Sequence, residues 1–176
     1  MNDNDKGTPA SKSPFWRFSV KFYAVPGVAQ ACIDLQDQAR VDVNVLFFLL
    51  WNATQGRALN AADVTKIEEA IGPWREMAVV PIRNLRRALK SPPSVMAPDA
   101  AEGFRTRIKA VELEAERLQQ EALYELAASG KLGRAEASHV QAAQDSVSSY
   151  QGVIGPFPPG PLETVLSAFA KFEASP

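Results

Sequence analysis

Residues 42–52 read DVNVLFFLLWN, with seven consecutive apolar side chains from Val45 to Trp51 set between polar ends. A helix that crosses a bilayer needs about 20 largely apolar residues. Val43 to Trp51 supplies fewer than half of that before Asn52, Thr54, Gln55 and Gly56 end the run. The stretch must therefore be buried inside protein. Asp42 or Asn44 can accept hydrogen bonds from the free N–H groups of a first helical turn, and Gly56 can take the left-handed conformation that closes a helix. On such a helix Leu46, Phe47 and Leu50 share one side, while Val45, Phe48, Leu49 and Trp51 cover most of the remainder. A helix that is apolar all round is surrounded by other helices. A short buried strand is the rival, but the leucines and the two acceptors at the start favour helix.

The rest of the chain supplies the surroundings. Residues 1–12 read as a flexible leader, and Ser13 and Pro14 as the N-cap and first position of a helix through Tyr23, with Phe15, Phe18 and Phe22 on one side. After Pro26, the spacing of Val28, Ala31, Cys32, Leu35 and Ala39 predicts a second amphipathic helix ending near Arg40. Asn60 caps a helix carrying Val64, Ile67 and Ile71, which Gly72 and Pro73 are expected to break. A further helix then runs from Trp74 to about Lys90, interrupted or kinked at Pro81 and stopped by Pro92 and Pro93.

The longest element runs from Asp99 to Ser129, where Phe104, Ile108, Val111, Ala115, Leu118 and Ala122 recur at spacings of four and three. Gly130 and Gly133 bracket a turn into a helix over 134–150, so 99–151 is expected to form an antiparallel helical hairpin. A Pro/Gly connector, 152–161, delivers a final amphipathic helix over 162–173 with Leu162, Val165, Leu166, Phe169 and Phe172 in one stripe. No segment alternates long enough for a sheet. The prediction is an all-α, single-domain bundle over 13–174, with about seven to eight helices around a central apolar helix at 43–54. Its aromatic-rich part is 13–90.

At 176 residues the chain can bury roughly two thirds of its unfolded surface in one domain. Its 46% apolar and 22% charged content excludes disorder throughout. A net charge of −1 gives no global attraction to nucleic acid or an anionic membrane. The single cysteine, Cys32, rules out an intrachain disulfide framework and a thiolate zinc cluster, and points to a reducing compartment. Met1 opens a polar stretch without an apolar h-region, so the setting expected is the cytoplasm.

Chemistry is sparse. His139 is the one histidine, placed beside Ser138 and Val140, and reads as a surface or hairpin-edge residue. No phosphate-cradling glycine motif occurs, and no cofactor or metal is expected. Glu112, Glu114, Glu116, Glu121 and Glu125 are interspersed with apolar positions as on a solvated helix face. The most distinctive polar cluster is RNLRRALK, 83–90, where Arg83, Arg86, Arg87 and Lys90 share one side of a helix opposite Ile82, Leu85 and Leu89. This stripe can pair internally with the 112–125 carboxylates. It can also bind an acidic protein surface, a phosphorylated ligand or a nucleic-acid backbone, the last being the weakest fit without interleaved aromatics.

The run FWRFSVKFYAVPGVAQACIDLQDQARVDVNVLFFLLW, followed by Gly56, Trp74 and VVPIRNLRRALK, resembles a family of uncharacterised bacterial all-helical proteins of about this length, known mainly as a domain of unknown function. The resemblance is good over 15–90 and looser over 100–172. It implies a helical fold and a bacterial cytoplasmic setting, and it carries over no catalytic or binding residues.

Three functions are compatible with these residues. The first is a non-catalytic helical interaction or regulatory module, meeting a protein partner through the basic stripe or the C-terminal helix. The second is a small-molecule binder with an apolar pocket at Trp16, Phe22, Phe47 and Trp51, and the third is an enzyme of unfamiliar type. Burial of a Phe or Leu contributes roughly 1.5–3 kcal/mol whether or not a ligand is near, so composition does not separate core from pocket.

Overall fold

The greasy stretch forms helix α3, Val43–Thr54, and every residue from Asn44 to Ala53 is buried. Asp42 is its N-cap, and its Oδ1 accepts the backbone N–H of Asn44 at 2.9 Å and of Val45 at 3.4 Å. The computed structural model describes residues 13–130 and 132–174; the leader predicted for 1–12 lies outside them. Around α3 stand α1 (Pro14–Tyr23), α2 (Val28–Ala39), α6 (Pro98–Ala128) and α7 (His139–Ile154). The other helices are α4 (Ala61–Trp74), α5 (Val80–Ala88) and α8 (Pro159–Glu173). The fold is all-α, as the sequence predicts.

Local chemistry explains the boundaries. Ser13 accepts the N–H of Trp16 to start α1, and a reciprocal Asn60–Asp63 capping box starts α4. Phe15, Phe18 and Phe22 are buried against α3, and Phe22 touches four rings: Phe18, Phe47, Phe169 and Phe172. Through the last two, α8 closes over α1, while its main docking is on α2 and α7 with Val165, Ala168 and Phe169 buried. The C-terminal stripe is thus used within the chain.

Three expectations are corrected. Pro73 does not end α4: it lies on the exposed side of the helix, as does Glu69, the residue whose carbonyl loses a donor. The chain continues through a π-helical segment, Arg75–Val79, into α5, and this wider turn absorbs the predicted disturbance at Pro81 by bonding the Val80 N–H to the Arg75 carbonyl. Counting α4 to α5 as one rod gives seven helices among the described residues.

The second correction concerns the predicted hairpin. Helices α6 and α7 follow one another in the chain, yet they flank α3 instead of packing along each other. The proposed start of α7 near 134 gives way to a two-residue strand, β2 (Arg134–Ala135), paired antiparallel with β1 (Arg57–Ala58). Gly133 is required there: its φ is +72°, and a Cβ would stand 3.0 Å from the Ala58 carbonyl oxygen.

The third is the rotation of α6. The expected apolar face is outward, with Phe104, Val111 and Leu118 exposed and Ala122 beside them. Of the predicted seam Ala115 is buried and Ile108 half-buried, and the rest of the buried face is Ala101, Glu112, Gln119, Gln120 and Leu123. Polar partners cause this. Trp74 donates its indole N–H to the Ala115 carbonyl at 3.0 Å, and Asp42, Asn44, Arg83 and Arg86 hold the carboxylates and amides.

Candidate functional site

Helices α1, α2, α5 and α6 wall a cleft of about 820 Å³ over the start of α3. Trp16, Val20 and Tyr23 come from α1, Cys32 and Ile33 from α2, and Val43 and Phe47 from α3. The whole predicted basic stripe, Arg83, Arg86, Arg87 and Lys90, lines one wall. Lys109, Leu113, Glu116 and Gln120 line another at spacings of four, three and four, which places them on a single face of α6. A shallower hollow of about 290 Å³ near Asn60 is crossed by the Arg134–Asp145 ion pair.

Of the four residues predicted to form an apolar pocket, Trp16 and Phe47 line this cleft. Phe22 and Trp51 do not: Phe22 lies in the ring cluster beneath α8, and Trp51 packs on Phe15, Phe48 and Tyr124. The four basic residues also divide. Arg83 binds Glu112 at 3.2 Å and Glu116 at 2.7 Å, and Arg86 chelates both oxygens of the buried Glu112 carboxylate. Arg87 reaches Asp37 at 2.8 Å between two exposed side chains, which is worth little. Lys90, and Lys109 opposite, have no ion-pair partner among the described residues.

Burial governs the ionisable groups that line the cleft. Burial pushes the Cys32 thiol up to about 12, so at neutral pH it is an un-ionised wall group. Burial also raises Glu116 above the ordinary carboxylate range, against the opposing pull of Arg83. His139 stands elsewhere, its Nδ1 2.5 Å from Glu173 Oε2, linking α7 to α8. Among the described residues no three His, Cys, Asp or Glu side chains are grouped to hold a metal.

Beneath the cleft runs a chain of buried polar groups. Arg75 donates to Asp42 Oδ2 at 3.2 Å and to Glu68 at 2.6 Å. Gln119 Nε2 donates to Asp42 Oδ2 at 2.6 Å, Asn44 Nδ2 to Gln119 Oε1 at 3.4 Å, and Gln120 Nε2 to Asn44 Oδ1 at 2.7 Å. The far end, Gln120 Oε1, has no partner, and neither does Ser19 Oγ; both side chains line the cleft. Sequence reasoning missed Ser19, Lys109, Gln119 and Gln120. The one available signal was a pair of neutral amides inside an otherwise charged helix.

A family model described as "Protein of unknown function (DUF2390)" matches residues 14–123, a span that carries every residue lining the cleft. No curated protein and no solved structure matches the chain. No helix among the described residues is long and apolar enough to cross a membrane.

Proposed function

The chain belongs to the DUF2390 family, whose function is unknown, and from that premise we propose a non-catalytic module that binds a small anionic molecule with an apolar body in the cleft. One observation carries the reading: the same cleft combines unpaired cations, Lys90 and Lys109, with an aromatic floor and two buried polar atoms that lack partners. An unsatisfied buried polar group costs about 1–3 kcal/mol. Two of them, on residues that line one concavity, are what a bound ligand would satisfy. Lone Cys32, buried and un-ionised, also fits the reducing cytoplasm in which we place the protein.

The test is a fluorescence titration with 8-anilinonaphthalene-1-sulfonate, an aromatic probe whose sulfonate stays ionised. Reversing both lysines, Lys90→Glu with Lys109→Glu, is expected to weaken binding by about tenfold or more. Lys66→Glu, an exposed charge change on α4 away from the cleft, is expected to leave affinity unchanged. Equal losses in the two proteins would remove the cleft from consideration.

A protein-interaction role is favoured by a different feature, the outward stripe of α6. Phe104, Val111 and Leu118 are 41%, 51% and 43% exposed and recur every seventh residue. Beside it Glu102–Arg105 and Glu114–Arg117 pair along the helix itself, so the apolar stripe is what the same stripe of a second copy would cover. Sedimentation equilibrium is expected to show a dimer that Val111→Asp dissociates. A wild-type chain that stays monomeric at the highest soluble concentration would end this reading.

A further inference from the structure

We infer that the cleft selects ligands carrying a hydrogen-bond donor, an O–H or N–H group on the apolar body, and that the Gln120 side-chain oxygen is the specificity-determining acceptor. The inference rests on the binding role proposed for the cleft and adds the chemical class of the ligand.

Amide groups can turn over, so the orientation of Gln120 has to be derived from what holds it. The Asp42 carboxylate is an acceptor on both oxygens. Its Oδ1 serves the first turn of α3 and its Oδ2 serves Arg75 and Gln119. Gln119 must therefore present its NH2 to Asp42, which leaves its oxygen toward Asn44. Asn44 must then donate to that oxygen, leaving its own oxygen toward Gln120. Gln120 in turn must donate to Asn44, and its oxygen is left without a partner in the wall of the cleft. One fixed charge thus sets the polarity of three successive amides. Gln120 is buried and lines the cleft, and its side-chain oxygen is the one group in this series left without a partner.

Ser19 Oγ, also buried and unpartnered, can donate or accept and so does not discriminate between ligands. Gln120 Oε1 discriminates, because a ligand ether or carbonyl oxygen placed against it would leave two acceptors facing each other. At the other end stands Lys109, eleven residues earlier on the same face of α6, or roughly 16 Å along the axis. Leu113 lies between them and the Trp16 and Phe47 rings line the same space. A rigid aromatic acid with its carboxylate toward Lys109 and a hydroxyl or N–H at the opposite end matches that order of groups.

Isothermal titration with 6-hydroxy-2-naphthoate and its methyl ether, 6-methoxy-2-naphthoate, separates the possibilities, since the pair differs in the donor alone. The wild-type chain is expected to prefer the hydroxyl compound by about tenfold or more. Gln120→Met keeps a side chain of similar length without the acceptor, and should bring the ratio close to one while both compounds still bind. Asp42→Asn should reverse the chain of amides, turn the Gln120 NH2 into the cleft, and shift preference toward the methyl ether. Equal affinities in the wild-type chain would overturn the inference and leave the cleft as a binding site. A preference that survives Gln120→Met would overturn it by assigning the contact elsewhere. Binding of neither compound would overturn both this inference and the role on which it rests. The comparison within the wild-type chain is decisive even if a variant fails to fold.

Discussion

Asp42→Ala is expected to lower the unfolding free energy by about 2–4 kcal/mol, the sum of a lost N-cap, one lost partner of the partly buried Arg75 and an unsatisfied Gln119 amide. Asp42 is 8% exposed and does three things at once. Its Oδ1 caps α3 by taking two orphan N–H groups, and loss of an N-cap alone costs about 1 kcal/mol. Its Oδ2 holds Arg75 of the π-helical segment, which would otherwise lose half of its ion pairing and keep only Glu68. The same oxygen anchors Gln119 and so the amides beyond it. For a domain of this size the drop in Tm should be on the order of 10 °C.

Asp37→Ala is the matched control. It deletes an exposed partner of Arg87 and should change stability by less than about 1 kcal/mol. Urea unfolding of the two proteins checks the pair. A similar small loss from both would mean that the Asp42 network contributes specificity of arrangement without stability. The Asp42 variant should also lose the selectivity of the cleft, because nothing would then set which way Gln119 turns.

The central helix was legible because its information is local. Seven apolar residues with acceptors before and glycine after admit one good solution in a soluble chain, and α3 begins and ends at Val43 and Thr54 as expected. The same holds for α1, α2 and α8, whose apolar stripes at helical spacing are the faces that bury. The long helix α6 misled for a physical reason. Hydropathy counts Glu112, Gln119 and Gln120 as outward, and only the tertiary partners Arg83, Arg86, Asp42 and Asn44 make their burial tolerable. Those partners come from residues 26 to 77 positions distant. No local window contains both sides of that balance.

The site was half legible for a related reason. A basic stripe of Arg83, Arg86, Arg87 and Lys90 is visible in a helical projection, as is an aromatic N-terminal third. That the two face one cleft depends on how α5 lies against α6 and α6 against α1. Internal pairing with the 112–116 carboxylates then leaves Lys90 as the stripe's free cation among the described residues. Pro81 was read as a disturbance, which it is. Its form is a π turn between Pro73 and Pro81, in a segment whose first residue, Arg75, bonds Asp42.

Phe22→Ala is the second large effect, with about 3–5 kcal/mol lost on opening a cavity at the centre of the ring cluster. Phe22 is 0% exposed and meets Phe47 at 5.3 Å, Phe18 at 5.6 Å, Phe172 at 5.7 Å and Phe169 at 6.2 Å between ring centres. Three of these pairs are edge-on and the one with Phe18 is stacked, and such pairs add about 0.5–1.5 kcal/mol each beyond buried area, so the loss should sit at the upper end of that range. Two of the four partners belong to α8, and hydrogen exchange is therefore expected to quicken first in 159–173, before α3. Uniform loss of protection would show that α8 is not held mainly by these rings. Because Phe22 sits beneath the cleft without lining it, Phe22→Leu, which keeps much of the volume, should leave 8-anilinonaphthalene-1-sulfonate affinity within about twofold, whereas Trp16→Leu, which strips a wall of the cleft, should weaken it severalfold. The reverse order of effects would mean that the aromatic cluster itself opens to take the probe, and that the space between α1 and α6 is not where binding occurs.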